Sequence, residues 1–332
     1  MEEKIKIYIP ESVNAILLKD IERFEFYKKD GSLNKNEFYN TLIINYYEQY
    51  ENSQSNIYSH IKKTIKDRSD LSDFDISDIA SEILKYIDTN TYQLDRQKYD
   101  VSISFKPTKK SSNDIEYIQN CLLSNSTLSN YFRNMFASYV LLPQDKREKI
   151  IFKKNFEIID EALNSHRKIY FTTINSSKTH IVSPVNIANS KEELFNYLLC
   201  IKDNLPYSYR ISRIKQIKIL NEDVDRHAEY DYIFDNMIKY GPQFAYEVNK
   251  EIKRIKVKFT DRGKEMYKRI YLHRPAVTEI DGNIYYFDCS RNQAYQYFAR
   301  FGSNALVLEP QDLREDLYKF YFHASNKYSS KK

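Results

Sequence analysis

Near its amino-terminal end the chain alternates strictly between apolar and polar residues. Such alternation is the pattern of a β-strand with one buried face, because successive side chains of a strand point to opposite sides. Pro10 is expected to end this strand, since it has no N–H to donate to a ladder. The apolar positions are Ile5, Ile7 and Ile9, and the polar positions are Lys4, Lys6 and Tyr8.

Two helices are expected to follow. Apolar residues recur at helical spacing over residues 13–24 and again over residues 38–47, with a glycine turn between them. Asn34 stands before the second series with Glu37 three residues later, which is the pattern of a capping box, so the second helix should begin there. A strand and two helices cannot bury this many apolar side chains alone, so a partner surface is required.

This order of strand, proline, helix and capped helix resembles a ribbon-helix-helix module over residues 1–50. In that family two chains pair their amino-terminal strands, and the resulting ribbon enters the DNA major groove. The resemblance implies a homodimer whose polar strand face meets bases and whose second helix holds a phosphate at its amino-terminus. Dimerisation without DNA contact is the alternative use of the same fold. The residues assigned to DNA are Lys4, Lys6, Tyr8, Asn34, Lys35 and Asn36.

Residues 51–160 are predicted to be a mostly helical connector. An amphipathic stripe covers residues 76–87, and one short alternating strand is expected at residues 101–105. A hinge is expected near residues 143–151. As an alternative to a plain connector, this region could add cations to a binding surface through Lys109, Lys110 and Arg133.

The chain changes to short strand patterns over residues 161–225, and this segment resembles a WYL domain, a small Sm-like β-barrel. The resemblance rests on Pro184, on the Tyr197–Leu198 pair, and on two nearby arginines, with Asn196 standing where the family has its defining tryptophan. Phe195 or Tyr209 is expected to offset the lost ring. The family resemblance implies a surface that senses a ligand or a nucleic acid. The expected strands are residues 169–173, 180–185, 196–202 and 209–220.

The two arginines are Arg210 and Arg213, and their planar guanidinium groups suit phosphate or carboxylate oxygens. On a flat strand they would point to opposite faces, so we expect a bulge or turn near Ser212 that brings them together. Our hypothesis is that both arginines and Tyr197 line one pocket for an anionic ligand. The alternative is that one arginine pairs with a carboxylate and braces the barrel.

A second strictly alternating strand is predicted at residues 251–259. Residues 239–332 contain 18 basic and 11 acidic residues, so positive potential is concentrated at this end of the chain, where it would attract a polyanion. The apolar face of the strand is Ile255, Val257 and Phe259. The cations assigned to nucleic-acid binding, here named the basic ridge, are Arg254, Lys256, Lys258 and Arg262.

The last part of the chain resembles the C-terminal extension that accompanies WYL domains. The similarity is carried by the turn at Gly302, the strand that ends at Pro310, and the helix start at Leu313. In that family the extension commonly packs against another subunit. The predicted fold class is therefore α+β and multidomain: a ribbon-helix-helix over residues 1–50, a helical connector over 51–160, an Sm-like β-barrel over 161–225, and a small α+β extension over 245–328.

Several classes of protein are not supported by the residues present. The six histidines are scattered without ligand spacing, and five glycines include no phosphate loop or dinucleotide fingerprint, so no enzyme, cofactor or metal is expected. Residues 222–225 are acidic but have no partner motif. The three cysteines form no CxxC pair and are expected to be reduced and buried in a cytoplasmic protein. No apolar run reaches membrane-spanning length.

We therefore expect a non-enzymatic, homodimeric nucleic-acid-binding regulator. The order of its modules is similar to that of the WYL accessory proteins of type VI-D CRISPR systems. That resemblance implies single-stranded RNA as ligand and an RNA-guided RNase effector as partner. The alternatives are a ribbon-helix-helix transcriptional regulator that binds duplex DNA and senses a ligand through its WYL domain, a scaffold for an acidic protein, and a nuclease.

Overall fold

The computed structural model describes residues 4–91, 100–123, 126–174, 176–243 and 254–329. These fall into two compact units, Met1–Lys153 and Lys154–Lys332. Both units combine helices with antiparallel sheets, so the predicted α+β class is confirmed. The predicted hinge at residues 143–151 lies just before the division between the units. No described helix is long and apolar enough to cross a membrane.

The amino-terminal unit contains two strands and six helices within its described residues. In chain order these are β1 Ile5–Pro10, α1 Glu11–Arg23, α2 Lys35–Lys66, α3 Asp73–Thr91, β2 Asp100–Phe105, α4 Ser111–Tyr117, α5 Leu128–Leu141 and α6 Gln144–Ile151.

Strand β1 pairs antiparallel with β2 of the same chain, with Ile7 opposite Ile103. We expected β1 to pair with its copy in a second chain. The partner is instead an internal strand, because Ile7 and Ile9 are fully buried and the β2 residues opposite them close the same core. The two-stranded ribbon is therefore formed within one chain.

Asn34 is confirmed as the N-cap of α2, but the reciprocal bond of the predicted capping box is made by the Asn34 side chain, because its backbone N–H donates to the Phe26 carbonyl. The Glu37 backbone N–H donates to the Asn34 side-chain oxygen over 3.3 Å, and the Asn34 side-chain amide donates to the Glu37 carboxylate over 2.6 Å. The helix continues to Lys66, well beyond the predicted apolar series.

Aromatic rings fill the core of the amino-terminal unit. Tyr39 on α2 stacks on Phe136 of α5, with ring centroids 5.9 Å apart. Phe105 of β2 and Phe132 of α5 pack edge to face in the same core. The partner surface that residues 1–50 require is thus supplied by α5 and β2 of the same chain.

A buried ion pair lies within this core. Asp20 on α1 is fully buried, and its carboxylate accepts hydrogen bonds from Arg147 Nε at 2.6 Å and Arg147 Nη2 at 3.1 Å. The Tyr139 hydroxyl donates to the same carboxylate over 3.0 Å. Burial, and secondarily the Asp20 charge, raises the pKa of Tyr139 well above its usual value. One carboxylate therefore connects α1, α5 and α6.

The carboxy-terminal unit contains nine strands and five helices within its described residues. These are α7 Lys153–Ser165, β3 Arg167–Thr173, β4 Ser176–Asn189, β5 Asn196–Lys202, β6 Leu205–Arg210, β7 Ile214–Asp223, α8 Asp231–Tyr240, β8 Ile255–Phe259, α9 Asp261–Arg269, β9 Val277–Asp281, β10 Ile284–Phe287, α10 Arg291–Phe298, β11 Ala305–Glu309 and α11 Gln311–Ser329.

The first sheet of this unit has the antiparallel order β6-β5-β4-β3-β7. Four consecutive strands form a meander, and the fifth returns to pair with the free side of β3. No ladder joins β6 to β7 among the described residues, so the sheet is open and not the closed barrel that we expected. Helix α8 covers one face of this sheet, where its residues Ile233, Phe234 and Met237 pack against Leu199 and Ile201.

The second sheet has the order β11-β8-β10-β9 and packs against α10 and α11. The predicted alternation of β8 is confirmed from Ile255 onward, since Ile255, Val257 and Phe259 are buried. The expected start of this strand, residues 251–253, lies outside the described residues. Gly263 allows α9 to approach the turn before β11, because a Cβ there would lie 2.1 Å from the Asn304 carbonyl oxygen.

The cysteines differ in exposure. Cys200 and Cys289 are buried as expected, and burial raises the pKa of both thiols. Cys121 is exposed, contrary to the expectation, and it belongs to the π-helical turn Ile118–Leu122 that follows α4, in which only Ile118 is buried.

Candidate nucleic-acid interface

A tight hairpin sets the register of the two strands that carry the predicted pocket residues. Asp203 and Asn204 both have positive φ, 50° and 58°, as a two-residue turn between twisted strands requires. The turn is shorter than the sequence suggested, and β6 begins at Leu205. As a result Tyr197 on β5 lies directly opposite Arg210 on β6.

A single 3₁₀ turn, Ile211–Arg213, separates β6 from β7, so the turn predicted near Ser212 is present. Its Ile211 and Ser212 are buried, and Asn155 of α7 donates to the Ile214 carbonyl over 2.9 Å. Arg210 Nε donates to the Ser212 hydroxyl over 2.7 Å. The turn therefore interrupts the alternation of the strand between the two arginines.

Arg210, Arg213 and Tyr197 all line one cavity of about 680 Å³. Three consecutive residues of β6, residues 208–210, contribute to its wall. Successive side chains of a strand point to opposite faces, so a cavity that touches three in a row must follow the edge of the strand. Among the described strands β6 forms one edge of its sheet, so the cavity lies along that edge.

The Arg210 guanidinium is supported from one side by an aromatic ring. Its Cζ atom lies 3.3 Å from the centroid of the Phe195 ring, and Phe195 is buried. Asn196, the first residue of β5, is also buried. The ring under the arginine thus comes from the residue just before that strand.

One acidic side chain, Glu193, also lines the cavity, and Glu192 lies beside it in the chain. Glu193 accepts a hydrogen bond from the Tyr197 hydroxyl at 2.5 Å and lies 3.6 Å from His273 Nε2. Glu192 accepts a hydrogen bond from the His273 backbone N–H at 2.6 Å. Burial lowers the pKa of His273 and raises that of Glu192. The Tyr197 hydroxyl is thus bonded to a carboxylate, so Tyr197 positions Glu193 within the cavity.

Most of the residues that line the cavity were not assigned to the site by the sequence reasoning, and His180 and Tyr209 are among them. The Tyr209 hydroxyl lies 3.3 Å from His180 Nδ1. Tyr207 and Tyr209 are two residues apart on β6, so their side chains lie on the same face of the strand, and this spacing could have predicted an aromatic face from the sequence. His180 comes from β4, so no local pattern could connect it with this strand.

The basic ridge is partly neutralised by carboxylates. Arg254 pairs with Glu279 over 2.6 Å and lies over the Tyr286 ring. Lys256 lies 3.9 Å from Glu309. In contrast, Lys258 and Arg262 are exposed and have no ion pair among the described residues. None of the four ridge residues lines the cavity.

At the amino-terminal end, the polar face of β1 is exposed as predicted. Lys4, Lys6 and Tyr8 are all exposed, and Lys6 Nζ lies 5.0 Å from the centroid of the Tyr8 ring. Arg133 Nε donates to the Tyr8 carbonyl over 2.5 Å, so this arginine holds the strand.

At the start of α2, two of the three residues predicted to hold a phosphate already make hydrogen bonds within the protein. The Asn34 backbone N–H donates to the Phe26 carbonyl over 2.7 Å, so it is not available to a phosphate. The Asn36 side-chain oxygen accepts the Lys106 N–H at 2.6 Å. Lys35 is exposed.

The acidic run at residues 222–225 braces the first sheet. Asp225 pairs with Lys168 over 3.0 Å, which holds the pKa of that carboxyl below its usual value, and Asp223 pairs with Arg167 over 3.0 Å. Within the described ranges, no three His, Cys, Asp or Glu side chains are grouped to hold a metal ion.

Comparison with known proteins identifies a shared fold. No protein-family model matches the chain, and no curated protein matches it either. A solved structure of Proteasome accessory factor B/C (PafBC) of Arthrobacter aurescens is 11% identical and covers 69% of this chain and 37% of its own, but its TM-score of 0.24 is too low to argue a common fold. Another, described as the crystal structure of a CRISPR Cas-related protein, is 20% identical and has a TM-score of 0.67. The likeness covers 99% of this chain and 94% of that one, so the two proteins share their fold over almost their whole length.

Proposed function

We propose that this protein is a non-enzymatic, cytoplasmic accessory protein of a CRISPR system and that it binds single-stranded RNA. The observation that carries this proposal is the cavity lined by Arg210 and Arg213. Two guanidinium groups at one cavity offer planar donor sets that match the oxygens of a phosphodiester.

The fold comparison supports the CRISPR part of the proposal. The protein that shares this fold is described as CRISPR Cas-related. The resemblance of the central segment to WYL domains, and of the last segment to their extension, adds an accessory role beside an RNA-guided RNase. The meander of β3 to β6 with β7 returning to β3 is compatible with an opened form of the small barrel of that family.

The basic ridge supplies a second electrostatic contribution. Lys258 and Arg262 are exposed on the unit that contains the cavity, and unpaired surface cations attract a phosphate backbone without regard to its sequence. We assign specificity to the cavity and the salt-dependent part of the affinity to the ridge.

A homodimer is part of the proposal. Tyr318 and Phe322 on α11 are exposed to 67% and 50%, and their rings stack with centroids 6.0 Å apart. An exposed aromatic pair of this kind suits a protein interface. Light scattering on the purified protein should give twice the mass of one chain, and a monomer at every concentration would contradict this part.

The binding test is a fluorescence anisotropy titration with labelled single-stranded RNA, single-stranded DNA and duplex DNA, each at two salt concentrations. We expect single-stranded RNA to bind most tightly. The Arg210→Ala/Arg213→Ala variant should weaken that binding by about 10-fold or more, on the basis of roughly 1.5–3 kcal/mol for hydrogen bonds to charged groups. Arg226→Ala, an exposed arginine of the same unit outside the cavity, is the charge-matched control.

Equal affinity of the double variant and the wild type would refute the cavity as the binding site. Preferential binding of duplex DNA would favour a transcriptional regulator, an outcome that the pairing of β1 within its own chain does not favour. Cleavage of any labelled strand in the presence of magnesium would refute the non-enzymatic assignment.

A further inference from the structure

A groove of about 520 Å³ lies between α10 and α11. Tyr295 lines it from α10, and Lys319, Phe320, His323 and Lys327 line it from α11. None of these residues lines the cavity beside β6. None belongs to the basic ridge either, so the groove is separate from both surfaces to which RNA binding is assigned above.

Three basic side chains follow one line along α11. Lys319, His323 and Lys327 are spaced four residues apart, so they lie on one side of the helix and span about 12 Å along its axis. All three are exposed and form no ion pair with any described residue. Asp316, the acid that lines the groove, is paired with Arg291. The two lysines therefore leave the groove with a positive charge.

An aromatic ring lies beside these cations. Phe320 is 43% exposed, and its ring meets that of Tyr295 edge to face with centroids 6.1 Å apart. The Tyr321 ring contacts it with centroids 5.4 Å apart. These contacts restrict the Phe320 ring before binding, so little conformational entropy is lost when a ligand stacks on it. A partly exposed ring in a cationic groove is the pattern of single-strand sites, where bases stack on rings and phosphates meet cations.

A single helix, α10, separates the groove from the cavity. Gln296 lines the cavity, and the residue before it, Tyr295, lines the groove. Successive side chains of a helix point about 100° apart around its axis, so these two residues open toward different sides of α10. The nearest walls of the two sites are thus no farther apart than the width of a helix, about 10–12 Å. A strand that leaves the cavity across α10 enters the groove.

We propose that single-stranded RNA held in the cavity continues across α10 into this groove, where a base stacks on Phe320 while Lys319 and Lys327 contact phosphates. This inference rests on the proposed function and adds a second subsite to the path of the strand. An acidic protein segment would use the lysines but would leave the exposed ring and the adjoining cavity without a role. The observations therefore favour RNA over such a segment.

A path over two subsites makes the effect of groove variants depend on strand length. We choose labelled RNA strands of roughly 4 and roughly 15 nucleotides, near the two ends of the range of single-strand site sizes. The short strand fills the cavity alone, whereas the long strand also reaches the groove. Variants of the groove should therefore weaken binding of the long strand only.

The first test removes the two lysines. For the long strand, Lys319→Ala/Lys327→Ala should lower the slope of log affinity against log salt by about 1.4, which is about 0.7 for each lost phosphate contact. The slope for the short strand should not change. Lys63→Ala/Lys85→Ala removes the same charge from exposed lysines of the amino-terminal unit and should bind the long strand as wild type does. An unchanged slope for the long strand in the groove variant would overturn the inference.

The second test removes the ring. Phe320→Leu should weaken binding of the long strand by roughly 5-fold or more and leave the short strand unaffected. Phe320→Tyr keeps an aromatic ring and is the matched control, expected within about 2-fold of wild type. Because Phe320 is partly exposed, both variants should keep the circular dichroism spectrum of the wild type. Wild-type affinity of Phe320→Leu for the long strand would show that no base stacks there.

The outcomes separate this inference from the function on which it rests. If Arg210→Ala/Arg213→Ala weakens both strands and the groove variants weaken neither, the groove is not part of the path and the RNA-binding role stands. If wild type binds no oligonucleotide, both are wrong. Groove variants that change only the mass measured by light scattering would identify a contact between copies and would also overturn the inference. Loss of affinity confined to the long strand supports it.

Discussion

The guanidinium of Arg210 lies on the face of the Phe195 ring, with its Cζ atom 3.3 Å from the ring centroid. Phe195 belongs to the segment just before β5, whereas Arg210 is the last residue of β6. The pairing of these strands brings the ring under the arginine and fixes the plane of its donors. A cation held over a ring is stabilised by about 0.5–2 kcal/mol.

Arg210→Lys should therefore not preserve binding. A lysine keeps the charge but loses both the planar donor fork and the stacked contact. We expect the affinity of Arg210→Lys for single-stranded RNA to be close to that of Arg210→Ala in anisotropy titrations. Arg226→Lys, the same change at an exposed site outside the cavity, should bind as wild type. Wild-type affinity in Arg210→Lys would mean that charge alone suffices.

The basic ridge predicts a difference in salt dependence between two of its cations. Lys258 is exposed, whereas Arg254 pairs with Glu279 over 2.6 Å. Lys258→Ala should reduce the slope of log affinity against log salt by about 0.7, the value for one phosphate contact on a single strand. Arg254→Ala should change it less, and Glu279→Gln should raise affinity because it releases Arg254. If the slope of log affinity against log salt were the same for all three variants, the basic ridge would not contact the RNA.

The buried pair Asp20–Arg147 is expected to dominate the stability of the amino-terminal unit. The Asp20 side chain is fully buried and that of Arg147 is 11% exposed, so Arg147→Ala would leave an uncompensated carboxylate in the core. Such a loss costs about 3–5 kcal/mol. Urea unfolding of the full chain should show the transition of this unit shifted to lower urea. Lys66→Ala, which breaks the exposed pair with Asp73, is the control and should leave the urea concentration of the transition unchanged.

Tyr39 predicts a stabilising substitution. It is 1% exposed, and its hydroxyl makes no hydrogen bond with any described residue. A buried unsatisfied hydroxyl costs free energy, so Tyr39→Phe should raise the unfolding free energy by about 1 kcal/mol. Tyr139→Phe is the matched opposite case, because it removes the hydrogen bond to Asp20 and should lower stability by about 1.5–3 kcal/mol.

Tyr39 should also make the stability of the protein depend on pH in the alkaline range. Burial raises the pKa of Tyr39 to about 12, against 10.0 for an exposed tyrosine. Between these values the folded chain keeps a proton that the unfolded chain has released, so this contribution to stability is complete below about pH 10 and is lost as pH rises toward 12. The loss approaches about 3 kcal/mol for a shift of this size. The advantage of Tyr39→Phe over wild type in urea unfolding should therefore grow above pH 10, and a constant difference would contradict the assignment.

Local patterns in the sequence determined much of the secondary structure. Alternation placed β1 and β8, and the Asn34–Glu37 spacing placed the start of α2, because these signals arise from side chains within a few residues of each other. The turn near Ser212 was predicted from the spacing of two arginines on one strand. Periodicity carries such information since it depends only on the geometry of one element.

The tertiary structure alone decided which elements meet. Periodicity does not specify a strand's partner, so only the fold showed that β1 pairs with β2 within the chain. In the same way, the register of the β5–β6 hairpin places Phe195 under Arg210, and the order of the sheet brings His180 of β4 beside Tyr209 of β6. These contacts depend on long-range packing of buried side chains, which each segment's own pattern does not contain.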